Sequence, residues 1–310
     1  SSAASDVYKR QVVISPKPVD EFVPLSRASD GNITTQYTMV TLEELGLLKM
    51  DFLGLRTLTV IQNAIHGAFD VHDIDYNDKE VFDMISSGHT EGVFQLESAG
   101  MKNFMKELKP QSIEDLIAGI SLYRPGPMDF IPQYIKGKNN PEDITYDCPM
   151  LEPILKPTYG CIVYQEQVMQ IVRDLAGYSL GRSDLVRRAM SKKKTSVMEK
   201  ERQNFIYGNP EENVPGCISN GIDEKTANKI YDDMIDFAKY AFNKSHAACY
   251  AVVAYQTAYL KTYYPVEFMA ALMTSVVDNT DKVAGYIYAC RQMNIQMLPP
   301  DAVSYTHLRA

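Results

Sequence analysis

The chain has 310 residues, 45% hydrophobic and 23% charged, with a net charge of -8, a balance that fits a globular protein with ample core. No apolar run reaches membrane length: the nearest, residues 247–264, is interrupted by Gln256 and Lys261 and reads as a buried helix. Cys148, Cys161, Cys217, Cys249 and Cys290 are scattered without a C-x-x-C pair, which excludes zinc-ribbon and dithiol motifs and suits reduced thiols in the cytoplasm.

Residues 1–11 are polar and aperiodic, and residues 303–310 follow a Pro-Pro-Asp stop. Both read as non-native, adapter-like ends, and no secretory leader pattern is present. Residues 12–14 and 32–37 carry β-branched residues beside turn formers and predict short strands. Thr41 suits a helix cap with Glu44 three residues on. An apolar strand around Asp51 follows, then a helix over 58–69 with Leu58, Ile61, Ile65 and Phe69 on one face. Helices are expected over 77–86, 101–108 and 165–176, the last stopped by Gly177. Ser183 is placed to cap a helix through a basic segment, and Thr195 another. After a loop over 209–221, Asp223 caps a long helix with Ala227, Ile230, Met234 and Phe237 in its stripe. A tyrosine-rich helix runs from about 245 to just before Pro265, and another over 266–276. The pattern defines an α+β chain: a strand-bearing first fifth, then a large, mostly helical region.

Five constellations bear on chemistry. Residues two apart in a strand face the same way, so Lys49 and Asp51 emerge together, with Leu48, Met50 and Phe52 packed opposite. A buried charge pair is costly without partners, so these two are either a structural salt bridge or a metal carboxylate beside a phosphate-facing lysine. Asp70, Asp73, Asp75 and Asp78 contain an Asp-x-Asp, the pairing that two-metal nucleotidyl transfer requires, but in a polar stretch between helices they suit turns and caps. Between Leu180 and Arg202 lie eight basic and three acidic residues, a basic island in an acidic chain. Within it, Arg187 and Arg188 diverge by about 100° on a helix, so they cannot both meet one small ligand unless it wraps around them. Lys192 and Lys194 extend their two faces, an arrangement that suits a triphosphate or nucleic-acid backbone, or simply a solvated face. Asn243-Lys244-Ser245-His246 sits between two helices, where Asn243 or Ser245 can cap the second. Tyr123-Arg124-Pro125-Gly126-Pro127 is a rigid corner from which Arg124 can reach a phosphate. Neither a P-loop nor a kinase motif set is present.

The runs LLKMDFLGLRTLTVI, GVFQLESAGM, SLYRPGPM, YGCIVYQEQVMQIV, LVRRAMSKKK, FNKSHAACYA and YPVEFMAALMTS occur in this order. Together the chain resembles, over about residues 12–302, the alpha subunit of bacterial DNA polymerase III, the C-family replicative polymerase, in its shorter form without an inserted exonuclease. The resemblance implies a nucleotidyl-transferase-like palm remnant over 12–57 and fingers over 58–302. It implies two-metal transfer from a dNTP to a primer 3'-hydroxyl with magnesium, on primer-template DNA. The sliding clamp and other replicase subunits would be partners through regions outside this chain. Asp51 would be one of the metal carboxylates, and Lys49 would face the nucleotide phosphates. Arg187, Arg188, Lys192, Lys244 and His246 would bind nucleotide, and Lys193, Lys194 and Arg124 would bind DNA. Gln95 to Ser98 would pack between palm and fingers. The family's Asp-x-Asp pair lies upstream of residue 12, so this polypeptide alone is expected not to extend a primer. The competing reading is a non-catalytic nucleic-acid or nucleotide-binding helical module.

Overall fold

The structure, a computed structural model, describes residues 7–28, 31–67, 69–191, 195–238 and 240–298. The chain divides into two compact units, one ending at Val60 and the other starting at Ile61.

Among its described residues the first unit has a pair of two-stranded antiparallel sheets, a short α-helix and a 3-10 turn at Val19–Glu21. Strand β1 (Val7–Ile14) pairs with β4 (Leu48–Leu55), and β2 (Leu25–Arg27) with β3 (Ile33–Thr35). The β1–β4 register sets Val13 opposite Lys49 and Gln11 opposite Asp51. The strand therefore starts at Val7, within the stretch assigned by sequence to a non-native end. A backbone ladder requires only N–H and C=O groups, so it extends through residues without apolar periodicity. Helix α1 (Met39–Glu44) begins earlier than expected, with Thr38 rather than Thr41 at its N-cap. Val23, Leu42 and Leu47 form a small core, with Val13, Val19 and Phe22 packed on it. Leu48 and Met50 are not the buried face foreseen, being 59% and 41% exposed. A two-stranded ribbon has no second layer to cover them.

Helix α2 (Arg56–Ile65) links the units and buries Val60, Ile61 and Ala64. It stops four residues short of Phe69, because His66 and Gly67 both take positive φ. Phe69 instead stacks on Tyr264 with ring centroids 5.1 Å apart.

The second unit is helical, and two cores are described in it. Helices α3 (Lys79–Ser87), α4 (Ala99–Leu108), α5 (Ile113–Leu122) and α6 (Ile131–Asn139) contribute to the first. The short α7 (Glu152–Leu155), α8 (Gln165–Ala176), α9 (Leu180–Ser191), α10 (Thr195–Tyr207) and α11 (Glu224–Ala238) enclose the second. Helix α12 (Lys244–Tyr263) returns to the first core, and α13 (Pro265–Ser275) and α14 (Thr280–Gln292) follow it. Gly177 ends α8 at φ 78°, and a Cβ there would lie 2.6 Å from Pro215, so a side chain is excluded twice over. Asp223 caps α11 by accepting from the Thr226 N–H at 3.0 Å. At α9 the cap is Ser179, whose hydroxyl accepts from the Arg182 N–H at 3.3 Å. Ser183 instead is buried and bonds back to the Ser179 carbonyl at 2.9 Å. Leu96 lies in the first core and Ser98 caps α4, so this stretch packs within the helical unit.

Helix α12 carries polar groups into the first core, each with a partner. The Tyr255 hydroxyl accepts from the Asp78 N–H at 3.0 Å and donates to the Asp75 carbonyl at 2.9 Å. Lys261, 5% exposed, donates to the carbonyls of His89 at 2.7 Å and Glu91 at 2.8 Å and to the Glu91 carboxylate at 3.1 Å. Lys102 holds the other Glu91 oxygen at 2.6 Å. Partial burial by itself would raise the Glu91 carboxyl, but the Lys102 hydrogen bond, a backbone hydrogen bond and Lys261 outweigh it and hold it at about 2. A depressed carboxyl contributes stability that is complete above its ordinary value near 4.5 and is lost as pH falls toward about 2. Glu91→Gln is accordingly expected to be less stable than the parent at pH 7. In urea titrations the difference should shrink steadily below about pH 4.5; a difference that stays constant down to pH 3 would exclude the carboxylate as its source.

Candidate functional site

Two segments cross where the cores meet. Residues 163–164 are extended ahead of α8, and Phe242 runs parallel to Tyr164 through a single bridge. The Gln165 N–H donates to the Phe242 carbonyl at 2.9 Å, and the Phe242 N–H to the Val163 carbonyl at 3.3 Å. Side chains lock this crossing. Gln165 donates to the Ala241 carbonyl at 3.0 Å. Gln167 reaches back to accept from the Val163 and Tyr164 N–H groups at 2.8 and 3.0 Å, and donates to the Ile154 carbonyl at 3.1 Å and the Thr158 hydroxyl at 2.7 Å. Asn243 caps α12 by accepting from the His246 N–H at 2.9 Å. Glu166 sits across the same helix end, where its two oxygens each accept from the Lys244 N–H at 3.1 Å and one accepts from the Asn243 amide at 3.2 Å. A carboxylate at a helix N-terminus meets both unpaired N–H groups and the positive end of the helix dipole.

Most of the described cations singled out by sequence gather at this crossing. Arg187 donates through Nη1 to Gln165 at 3.2 Å, and through Nε to Asp184 at 3.1 Å with a further Nη2 contact to the same carboxylate. Arg188 Nε lies 2.7 Å from the other Asp184 oxygen. Lys244 pairs with Glu114 at 3.0 Å and lies 5.2 Å from the centroid of the Tyr164 ring. Arg124 stacks 4.3 Å above Phe242, and burial pulls its guanidinium below its ordinary pKa. The ring of His246 meets Phe242 edge-on at 5.5 Å and Tyr250 at 4.4 Å. Arg124, expected to face DNA, thus shares the Phe242 ring with His246.

The two adjacent arginines meet one small group after all. Asp184 precedes Arg187 by three residues and Arg188 by four, so it lies over both. The Arg187 hydrogen bond, opposed by partial burial and aided by the charges of both arginines, holds the Asp184 carboxyl below its ordinary value.

The basic island is less basic in three dimensions than in sequence. Arg182 pairs with Glu201 at 2.8 Å and with Glu212, and lies over Tyr178. Lys200 also pairs with Glu212, at 3.2 Å. Arg202 pairs with Asp232 at 2.5 Å and lies over Tyr231. These three residues tie α10 to α9, α11 and the 209–214 loop. Lys192, Lys193 and Lys194 lie outside the described residues.

Among the described residues, the acidic loop does not assemble a metal site. Asp70 accepts from the His72 N–H, Asp75 from the Asn77 N–H, and Asp78 caps α3, so three of the four acidic loop residues serve turns and caps. Strand β4 carries Lys49 and Asp51 in its backbone, but their side chains lie outside the described part. No three His, Cys, Asp or Glu side chains among the described residues come together to hold a metal ion. One carboxylate from β4 is too few to hold two magnesium ions. No described helix is long and apolar enough to cross a membrane.

Gln165, Glu166 and Asp184 join this crossing without having stood out in sequence. Their signals were present: a Gln-Glu-Gln run opening a helix, and an aspartate one turn before paired arginines.

The family described as "Bacterial DNA polymerase III alpha subunit finger domain" matches residues 55–213, and "Bacterial DNA polymerase III alpha NTPase domain" matches residues 10–54. The chain is 47% identical to the DNA polymerase III subunit alpha of Thermus aquaticus over 309 residues, covering 96% of this chain and 25% of that protein. It is 47% identical to the same subunit of Borreliella burgdorferi over 297 residues (94% and 25%) and 46% identical to that of Bacillus subtilis over 296 residues (93% and 26%). The chain therefore belongs to the family of bacterial DNA polymerase III alpha subunits, and it spans about a quarter of the length of these relatives.

Replacing Glu166 by Ala should remove the acceptor at the start of α12. The expected cost is roughly 1 kcal/mol. Hydrogen exchange is expected to accelerate at the Lys244 amide with little change at the far end of α12. Uniform acceleration along the helix would mean that Glu166 is not a local cap.

Proposed function

We propose that this chain forms the last part of the palm and most of the fingers of a template-directed DNA polymerase, with the boundary near Thr57. In that reading, the crossing of residues 163–165 with Phe242 presents the triphosphate-binding groups. The observation that carries it is the convergence of Arg124, Arg187, Lys244 and His246 on this crossing, with Arg188 joined to it through Asp184. These groups come from three separate stretches of sequence, around Arg124, Arg187 and Lys244. A surface that only needed solvation would have no cause to assemble them.

In the proposed reaction a primer 3'-hydroxyl attacks the α-phosphate of a dNTP and pyrophosphate leaves. Guanidinium groups contribute most where charge builds on the leaving pyrophosphate, because a fork of N–H donors fixed beforehand need not reorganise as the charge appears. Arg188 is open to a ligand, its side chain being 62% exposed. Lys244 and His246 would flank the nucleotide, as would Lys192. Lys193, Lys194 and Arg124 would face the DNA backbone, primer-template DNA being the polymer substrate. Asp51 is proposed as this chain's carboxylate toward magnesium, and Lys49 as a phosphate-facing group. Association with a sliding clamp and other replicase subunits, and a cytoplasmic setting, belong to the same proposal.

The test is Arg188→Ala in the intact polymerase. Loss of a charge-assisted phosphate contact is expected to lower nucleotide incorporation roughly tenfold to a hundredfold. Duplex affinity, measured separately by fluorescence anisotropy, should barely change. Equal losses in both assays would move Arg188 to the DNA backbone and favour the binding-module reading.

A further inference from the structure

Adjacent in sequence, Arg187 and Arg188 have different surroundings. The Arg187 side chain is 19% exposed, and it spends Nε and Nη2 on Asp184 and Nη1 on Gln165. The Arg188 side chain is 62% exposed, and Asp184 meets it at Nε. That edge is the inner one. The Nη1–Nη2 edge of a guanidinium is the outer fork that grips a phosphate or carboxylate with two parallel bonds. A carboxylate on Nε therefore restrains the side chain without covering that fork. Asp184 is itself held by Arg187, Arg187 by Gln165, and Gln165 by the Ala241 carbonyl and the Phe242 backbone. The line of contacts runs from the backbone just before α12 to the exposed guanidinium on α9.

We propose that Asp184 is a positioning residue of the triphosphate site: by bonding Arg188 Nε it aims the outer fork of that guanidinium toward the nucleotide, while Gln165 and Arg187 hold Asp184 in place. This inference rests on the nucleotide role proposed above for Arg188. Two effects of the carboxylate oppose each other. Its negative charge repels a triphosphate, so a mere counter-charge would weaken nucleotide binding and its removal would strengthen it. Its bond also removes side-chain freedom before the nucleotide arrives, so its removal would weaken binding. Solvent and salt screen the repulsion at so exposed a guanidinium, whereas they do not lessen the cost of ordering a long side chain. The second effect wins.

The sign of the change in KM decides the matter. In the intact polymerase, D184N, D184E and R188A are compared with the parent for dNTP KM, kcat, duplex affinity and thermal unfolding. D184N should raise the dNTP KM about fivefold to tenfold, while kcat and duplex affinity change little. D184E, which keeps the charge and the reach to Nε, should restore most of the loss. If R188A raises KM but D184N lowers it or leaves it unchanged, Asp184 is a counter-charge and the inference is overturned. If R188A leaves both the dNTP KM and kcat unchanged, the nucleotide role of Arg188 fails first, and the two failures are thereby told apart. Should D184N not fold, Gln165→Met, which removes the tether on Arg187, is read the same way: a raised KM supports the relay, and an unchanged or lowered one overturns it.

Discussion

A single side-chain amide, that of Gln167, is 6% exposed and engages backbone or hydroxyl partners at both of its ends. Without it the Val163 and Tyr164 N–H groups would be buried unpaired, at about 1–3 kcal/mol each. The segment it holds belongs to both cores. Cys161, Val163 and Tyr164 pack into the first, whereas Val168, Ile171, Val172 and Leu175, a few residues on, pack into the second. Such a segment cannot slide without unpairing backbone on one side and opening cavities on the other. Helix α8 is thus fixed against the start of α12, and Gln165 passes that constraint on to Arg187.

Helix α12 makes a second constraint of a different kind. Its apolar face alone would read as a simple core helix, yet Tyr255, Thr257 and Lys261 are buried along it. Each takes hold of backbone in the 75–94 region: Tyr255 at Asp75 and Asp78, Thr257 at the Phe94 N–H, and Lys261 at His89 and Glu91. Buried polar groups are tolerated when every one is paired, and a fully paired set specifies how loops dock more sharply than apolar contact does. The acidic loop is shaped from this side. Of the Asp-x-Asp pair, Asp73 and Asp75, the Asp75 carboxylate is committed to the Asn77 N–H and amide and its carbonyl to the Tyr255 hydroxyl, so the pair reads as part of a turn.

The elements were legible wherever the signal was local. The 165–176 helix and its glycine stop, the Asp223 cap and the apolar stripe that follows it all rest on spacing within a turn or two. Boundaries slipped where two candidates for one job stood close together: Thr38 against Thr41, and Ser179 against Ser183. A hydroxyl that can bond back to a carbonyl one turn earlier competes with its own use as a cap, and Ser183 takes that alternative. Phe69 followed the helical period of α2 but lay past the positive-φ break at His66 and Gly67. Of the candidate site, Arg187, Arg188, Lys244, His246 and Arg124 were picked out by residue type and family resemblance. That they meet at one crossing was not visible, because Tyr164 and Phe242 are 78 positions apart.

By itself the sequence determined several helix spans, the Asp223 cap, the Gly177 stop and the family, since these depend on residue order over a few positions and on motifs in series. Only the tertiary structure decided the charges. Eight cations against three anions between Leu180 and Arg202 suggested an open basic surface. Yet Glu212 and Asp232, from outside that window, neutralise Arg182, Lys200 and Arg202. Coulomb attraction acts through space and falls off within several ångströms, so the partner that matters is the one the fold brings near, whatever its place in the chain.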